Sequence, residues 1–341
     1  MSKRFSVAGY EVAQNSKAEI WLKVLELNDT TDVRIPVAVI NGAEEGPTVF
    51  IGAGAHGTEY TSILAAVDVI AKLEPVDVCG RVICAPIQSI PAFRDRQRNV
   101  TLNDEEGYNL HRDFPGDEHG GPPFRIAHFL FQRLVLDTDA AFAFDLHTCS
   151  HTHVGPAHAF VAPESFGEVA QKALEAAAVF GTHIVIREKT EWDPMTQRGV
   201  YAQVDMPHML GAVHGVPTLG LELVEEKPVR DEHVRVGSEG VRNVLRHLGV
   251  LRGSPPQKNP QIVLEEVVYV RNDRGGLVRQ HVVPGDFLHS GDSIVTILTP
   301  FGHVAEIVRA PVDGYLMTLI AYGAIHEGEM VARIGVPALG R

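Results

Sequence analysis

Cysteine is scarce in this 341-residue chain: Cys79, Cys84 and Cys149 are the only three, and no two form a Cys-x-x-Cys pair. That spacing excludes a disulfide framework and fits a reducing compartment, so a cytoplasmic location is expected. Basic residues are also in the minority. Thirty Lys and Arg stand against 43 Asp and Glu, a formal charge of −13. The balance argues against nucleic acid or an anionic membrane as a main partner, because both reward a basic face. No apolar run approaches the roughly 18–20 residues of a spanning helix. The opening MSKRFSVAGYEVAQNSKAEIWL lacks the apolar stretch of a signal peptide. What is present is ordinary: 45% apolar and 21% charged residues exclude disordered, collagenous and coiled-coil chains. The length allows about two domains.

Residues 1 to about 255 alternate short β-branched runs with longer helical stretches. Thr48–Gly52, Arg81–Pro86, Ala140–Leu146 and Pro217–Val224 read as buried strands. Thr58–Leu73, Phe124–Leu136, Pro163–Phe180 and Ser238–Leu248 read as helices, the last with Ser238 as its N-cap. This alternation predicts an α/β fold, a mostly parallel sheet with helices on both faces. Near Gly253-Ser254-Pro255-Pro256 the texture changes. Residues 260–341 give short alternating runs divided by Gly, Pro and Asp turns, the pattern of a smaller C-terminal all-β domain.

Seventeen histidines make isolated metal-ligand spacings cheap. Composition alone predicts about two His residues followed three positions later by an acid, and there are four: His56/Glu59, His289/Asp292, His303/Glu306 and His326/Glu329. The last three fall in the β-rich tail, where positions i and i+3 face opposite ways, so they read as solvated turn residues. His56/Glu59 instead follows the strand TVFIG and opens a helix, where an i, i+3 pair shares a face. The bland alternative is a capping carboxylate beside an ordinary histidine. Asp145-Leu146-His147 ends another strand, with Asp145 and His147 on one side. His147 can complete a two-His, one-carboxylate set with a position left open for water, and Asp145 can orient it. Glu222 lies among leucines in an apolar run, where a carboxylate is either paired or doing proton work. The loop from Pro91 to Gly116 carries Arg94, Arg96, Arg98 and Arg112. For Arg94 and Arg96 a solvated position is the better reading.

Taken in order, His56-Gly-x-Glu59, Pro91-Ala-Phe93, Arg98, Asn109-Leu-x-Arg112-x-Phe-Pro-Gly116, Asp145-Leu-His147 and Glu222 resemble the succinylglutamate desuccinylase/aspartoacylase family, zinc enzymes related to the metallocarboxypeptidases. The resemblance covers nearly the whole chain. It implies a mixed, mostly parallel sheet flanked by helices over residues 1–255 and a barrel-sandwich all-β domain over 260–341. It implies one Zn2+ per chain held by His56, Glu59 and His147, with Glu222 as general base and Arg98 polarising the scissile carbonyl. Arg112 would hold the substrate carboxylate, with Asn109 and His111 beside it and Asp145 behind His147. His111 stands where the family usually has Asn, and Val224 where Gly is common. The terminal stretch also looks like a biotinyl/lipoyl-type sandwich, but no lysine follows Lys258, so nothing there can be acylated. The expected activity is hydrolysis of the amide bond of a small N-acyl amino acid or related carboxylate-bearing amide, a deacetylase or desuccinylase type of deacylase. The alternatives are a metallocarboxypeptidase acting on peptide C-termini and a non-catalytic metal- or ligand-binding module. The implied partner is a small molecule, with self-association through an exposed β-edge as a further possibility.

Overall fold

The computed structural model describes residues 4–99, 109–149, 152–187, 192–193, 198–199 and 214–338. Twelve strands of the main sheet are numbered here in chain order. They are β1 (Ser16–Glu26), β2 (Asp32–Asn41), β3 (Glu44–Ala53), β4 (Cys79–Ala85), β5 (Ala140–Thr148), β6 (His158–Phe160), β7 (Ile184–Ile186) and β8 (Thr218–Leu223), followed by β9 (Ile262–Arg271), β10 (Phe287–Leu288), β11 (Gly314–Ile320) and β12 (Met330–Pro337). Their order across the sheet is β10-β11-β12-β9-β7-β6-β8-β5-β3-β4-β2-β1. The centre is parallel, with β4, β3, β5 and β8 running together. On one side β2 and β1 follow antiparallel; on the other β6 is antiparallel to β8, β6, β7 and β9 run parallel to one another, and β12, β11 and β10 are antiparallel again, so the sheet is mixed. Among the described residues the α-helices named here are α1 (Tyr60–Lys72), α2 (Ile90–Asp95), α3 (Pro122–His128), α4 (Glu168–Phe180) and α5 (Asp231–His247).

Side-chain alternation sorts the core into layers. Val49, Ile51, Phe142, Phe144, Leu146, Leu219 and Leu221 meet α1, α4 and α5 on one face. Phe50, Ile83 and Ala143 face the other way, against α3 and its π-helical continuation through Phe129–Leu136. Parallel strands covered on both faces need near-continuous apolar runs, which is what TVFIG and AAFAF provide. The terminal β-region joins the same sheet: β9 lies parallel to β7, with Ile184 opposite Ile262. Four antiparallel strands, Val304–Arg309, Ser293–Leu298, Gly276–Gln280 and Ala324–Ile325, form a separate sheet that shares a core with β11 and β12.

One local expectation changes. Ser238 is not an N-cap. It lies inside α5, buried, with its hydroxyl turned back to the Arg235 carbonyl at 3.3 Å, a bond that serine makes readily from a helix interior. The long N-terminal strand β1 lies at the edge of the sheet, paired with β2, and its many exposed residues dilute the hydrophobic signal. Among the described residues no helix is long and apolar enough to cross a membrane.

Helices α1 and α5 touch closely at Gly237, where an added Cβ would sit 2.8 Å from the Ala65 Cβ and 2.6 Å from Leu223 Cδ1. Gly237→Val is expected to destabilise the protein by about 1–3 kcal/mol through overpacking, measured by chemical denaturation. An unchanged midpoint would contradict this packing.

Candidate active site

The turn Ala55-His56-Gly57-Thr58-Glu59 lies between the C-terminal end of β3 and the start of α1. Glu59 occupies the N-cap position of α1 yet makes no side-chain cap bond. The His56/Glu59 pair is therefore in the turn before the helix rather than on its first helical turn, and the capping alternative fails. The carboxylate is turned inward instead. Its Oε1 lies 2.6 Å from His56 Nδ1 and accepts from Arg98 Nη1 at 2.5 Å. Its Oε2 lies 3.0 Å from His147 Nδ1 and accepts from the Thr148 backbone N–H at 3.2 Å. His56, Glu59 and His147 are each no more than 2% exposed.

The other imidazole edges are also engaged. His56 Nε2 is 2.8 Å from Asn109 Oδ1, and the same oxygen accepts the His111 backbone N–H at 3.2 Å, which fixes the amide orientation. His56 must then donate through Nε2. Burial drives its pKa down to about 4, so the ring is neutral near pH 7 and Nδ1 carries a lone pair. Two acceptors, Nδ1 and Glu59 Oε1, thus face one another at 2.6 Å, an arrangement that calls for a cation between them. At His147, burial alone would lower the pKa, but the charges of Asp145 and Glu59 outweigh it and hold the ring well above its ordinary value. Its Nε2 is 3.0 Å from Asp145 Oδ2. Burial opposes ionisation of Glu59 as well, but the fields of His56, His147 and Arg98 keep it well below the usual carboxylate range. His56, Glu59 and His147 each offer one ligand atom, all within 4.8 Å of one another. Tetrahedral zinc needs its ligand atoms about 3.4 Å apart, so small movements suffice to admit it.

Strand register brings the second part of the site alongside. Glu222 on β8 lies opposite His147 on β5 and opposite His158 on β6. The three therefore form one row across the sheet, on the face away from α1, α4 and α5. Glu222 Oε2 has no hydrogen-bond partner among the described residues. Burial first, and then the negative charge of Glu59, push its pKa up, as suits a proton acceptor near neutrality. These groups open on a cavity of about 360 Å³ lined by His56, Arg98, Asn109, His111, Arg112, His147 and Glu222. Arg112 reaches it from an exposed position, while Arg94 and Arg96 are exposed outside it. His111 Nδ1 is 3.3 Å from Asp145 Oδ2, and its ring meets that of His147 edge-on with centroids 4.4 Å apart. His111 is thereby packed against the cluster as well as the cavity.

Residues 45–248 match the family model described as the succinylglutamate desuccinylase/aspartoacylase catalytic domain. The chain belongs to this family. Among its relatives is the N-alpha-acetyl-L-2,4-diaminobutyric acid deacetylase of Halomonas elongata, 29% identical over 320 residues that cover 90% of this chain and 88% of the relative. The product-bound ectoine utilization protein EutE (DoeB) of Ruegeria pomeroyi has the same fold, with a TM-score of 0.82 at 24% identity, covering 94% of this chain and 95% of that one. So does a succinylglutamate desuccinylase/aspartoacylase of Rhodobacter sphaeroides, with a TM-score of 0.83 at 24% identity over 98% and 99% of the two chains.

Several lining residues escaped the sequence reading. His158 Nδ1 donates to the Pro156 carbonyl at 2.9 Å, and the ring is buried in the cavity wall. Phe160, Tyr269, Thr318, Met330 and Arg333 line the same cavity. In sequence, His158 is one of many histidines, and the others lie beyond the texture break at 255. Two of the tail pairs behave as expected of turns, His289 N donating to Asp292 and His326 N to Glu329; the third does not, because Glu306 lies on the strand Val304–Arg309 and accepts from the Asp273 and Arg274 backbone N–H groups.

A divalent ion held by His56, Glu59 and His147 would stabilise the folded state by mass action. Adding stoichiometric ZnCl2 to chelator-treated protein is expected to raise Tm, and His147→Ala to abolish the rise. An equal rise in both would place the ion elsewhere.

Proposed function

We propose that the chain is a zinc-dependent amidohydrolase that cleaves the amide bond of a small N-acyl amino acid. The observation that carries this reading is the pairing of an acceptor-rich His56/Glu59/His147 cluster with an adjacent carboxylate, Glu222, whose pKa is raised. The family match and the deacetylase relative support the same chemistry. His56, Glu59 and His147 would hold one zinc ion, with Asp145 fixing the His147 ring from behind. Bound zinc would supply Lewis acidity, lowering the pKa of water and polarising a carbonyl. We assign residues 1–255 to the catalytic domain and 260–341 to a terminal domain, and place the reaction in the cytoplasm, where three unpaired cysteines persist.

Glu222 takes a proton from the attacking water and later delivers it to the leaving nitrogen, which departs as a neutral amine. Arg98, held on the wall by Glu59, donates to the carbonyl oxygen as negative charge develops there. Arg112, with Asn109 and His111 beside it, captures the substrate's carboxylate at the rim as the substrate enters. The guanidinium fork suits that group because it can bind both oxygens at once.

Loss of a donor to a developing oxyanion costs about 2.7–4 kcal/mol, or roughly 10²–10³ in kcat. Arg98→Ala is expected to fall in that range, and Glu222→Gln to fall further, each with its metal content retained. A screen of N-acetyl and N-succinyl amino acids, including Nα-acetyl-L-2,4-diaminobutyrate, beside short peptides tests the substrate class. Hydrolysis of the peptides alone would point to a carboxypeptidase, and near-normal turnover by Glu222→Gln would remove the assigned base.

Glu222 works as a base only when ionised. Because its pKa is raised, activity should fall as pH drops through a value above the ordinary carboxylate figure of about 4.5. A pH profile of kcat/KM with its acidic limb at or below that figure would contradict the assignment.

A further inference from the structure

The terminal strands supply a wall of the cavity. Val267 and Tyr269 come from β9, Thr318 from β11, and Met330 and Arg333 from β12. Thr318 and Arg333 are cross-strand neighbours, and Arg333 Nε donates to Thr318 Oγ1 at 3.1 Å. This bond leaves the Nη groups uncommitted. Among the described residues no carboxylate ion-pairs with Arg333, which nonetheless lies close enough for its charge to act on Glu222, Cys149 and His158.

The three arginines that line the cavity differ in this respect. Arg98 is tied to Glu59, and Arg112 is exposed at the rim. Arg333 is half-buried and remains charged at any physiological pH. Among the described residues its one hydrogen-bond partner is a hydroxyl, and although the field of Glu222 reaches it across the cavity, no carboxylate is in contact with it; a carboxylate fits its open fork.

We propose that Arg333 is a substrate-binding residue contributed by the terminal β-region, and that the substrate's carboxylate passes the rim at Arg112 to be gripped by this interior fork. The proposal rests on the deacylase reading and adds to it a specificity role for residues outside the catalytic domain. The side chain that reads the carboxylate then lies beyond residue 248, where the family match ends.

Calorimetric titration of full-length protein tests it. Nα-acetyl-L-2,4-diaminobutyrate and its C-terminal carboxamide are titrated into Glu222→Gln protein, in which turnover is suppressed, and into the Glu222→Gln/Arg333→Gln and Glu222→Gln/Arg333→Lys doubles. The acid is expected to bind about 10–100-fold tighter than the carboxamide in the parent, as a charge-assisted contact would give. Arg333→Gln should erase that preference and Arg333→Lys restore part of it. A preference that survives Arg333→Gln, or acid binding no tighter than the carboxamide in the parent, overturns the proposal. If the wild-type protein hydrolyses no N-acyl amino acid but the Arg333-dependent preference is present, the deacylase reading fails while the carboxylate site stands.

Discussion

The Glu59 carboxylate lies against His56 Nδ1 with one oxygen and against His147 Nδ1 with the other, at 2.6 and 3.0 Å, with all three side chains removed from water. Each ring is anchored on its far side, His56 by Asn109 and His147 by Asp145. Anchors of that kind set the tautomer and aim the free nitrogen. The result is a buried cluster in which His56 Nδ1 and Glu59 Oε1 meet as two acceptors, while a charged His147 is shared between Asp145 and Glu59; a bound metal ion would sit among these groups and displace the Nδ1 proton of His147. The rest of the site is arranged around this cluster. Arg98 leans on Glu59, and Glu222 resists ionisation partly because Glu59 is already charged.

The sheet makes the arrangement possible. Parallel β5 and β8 place His147 and Glu222 at one level, and antiparallel β6 adds His158 to the row. Because side chains alternate along a strand, the leucines between the polar residues face the helices and leave the polar row to the cavity. The β9–β7 pairing then carries the terminal strands across to the open side of that row. A region beyond the family's catalytic domain thereby becomes part of the pocket.

Much of this was legible in the chain. Asp145 and His147 sit two apart in an apolar run, which places both on one face, and Glu222 stands out because leucines surround it. The spacing of His56 and Glu59 pointed to a shared site, but not to its location in a turn, because a spacing of three fits a turn and a helix alike. Arg333 and His158 gave no signal. Their roles depend on strand pairings that join β6 to β8 and β9 to β7, and register between distant strands is set by packing and turn geometry rather than by the local pattern. Ser238 misled because serine caps helices well and also bonds back within them.

Diffraction from crystals grown with zinc, recorded on both sides of the zinc absorption edge, tests the central claim most directly. The account predicts one anomalous peak per chain, bounded by His56 Nδ1, the Glu59 carboxylate and His147 Nδ1, with Glu222 facing the open side of the ion. A peak located away from Glu59, or none at the cluster, would contradict it.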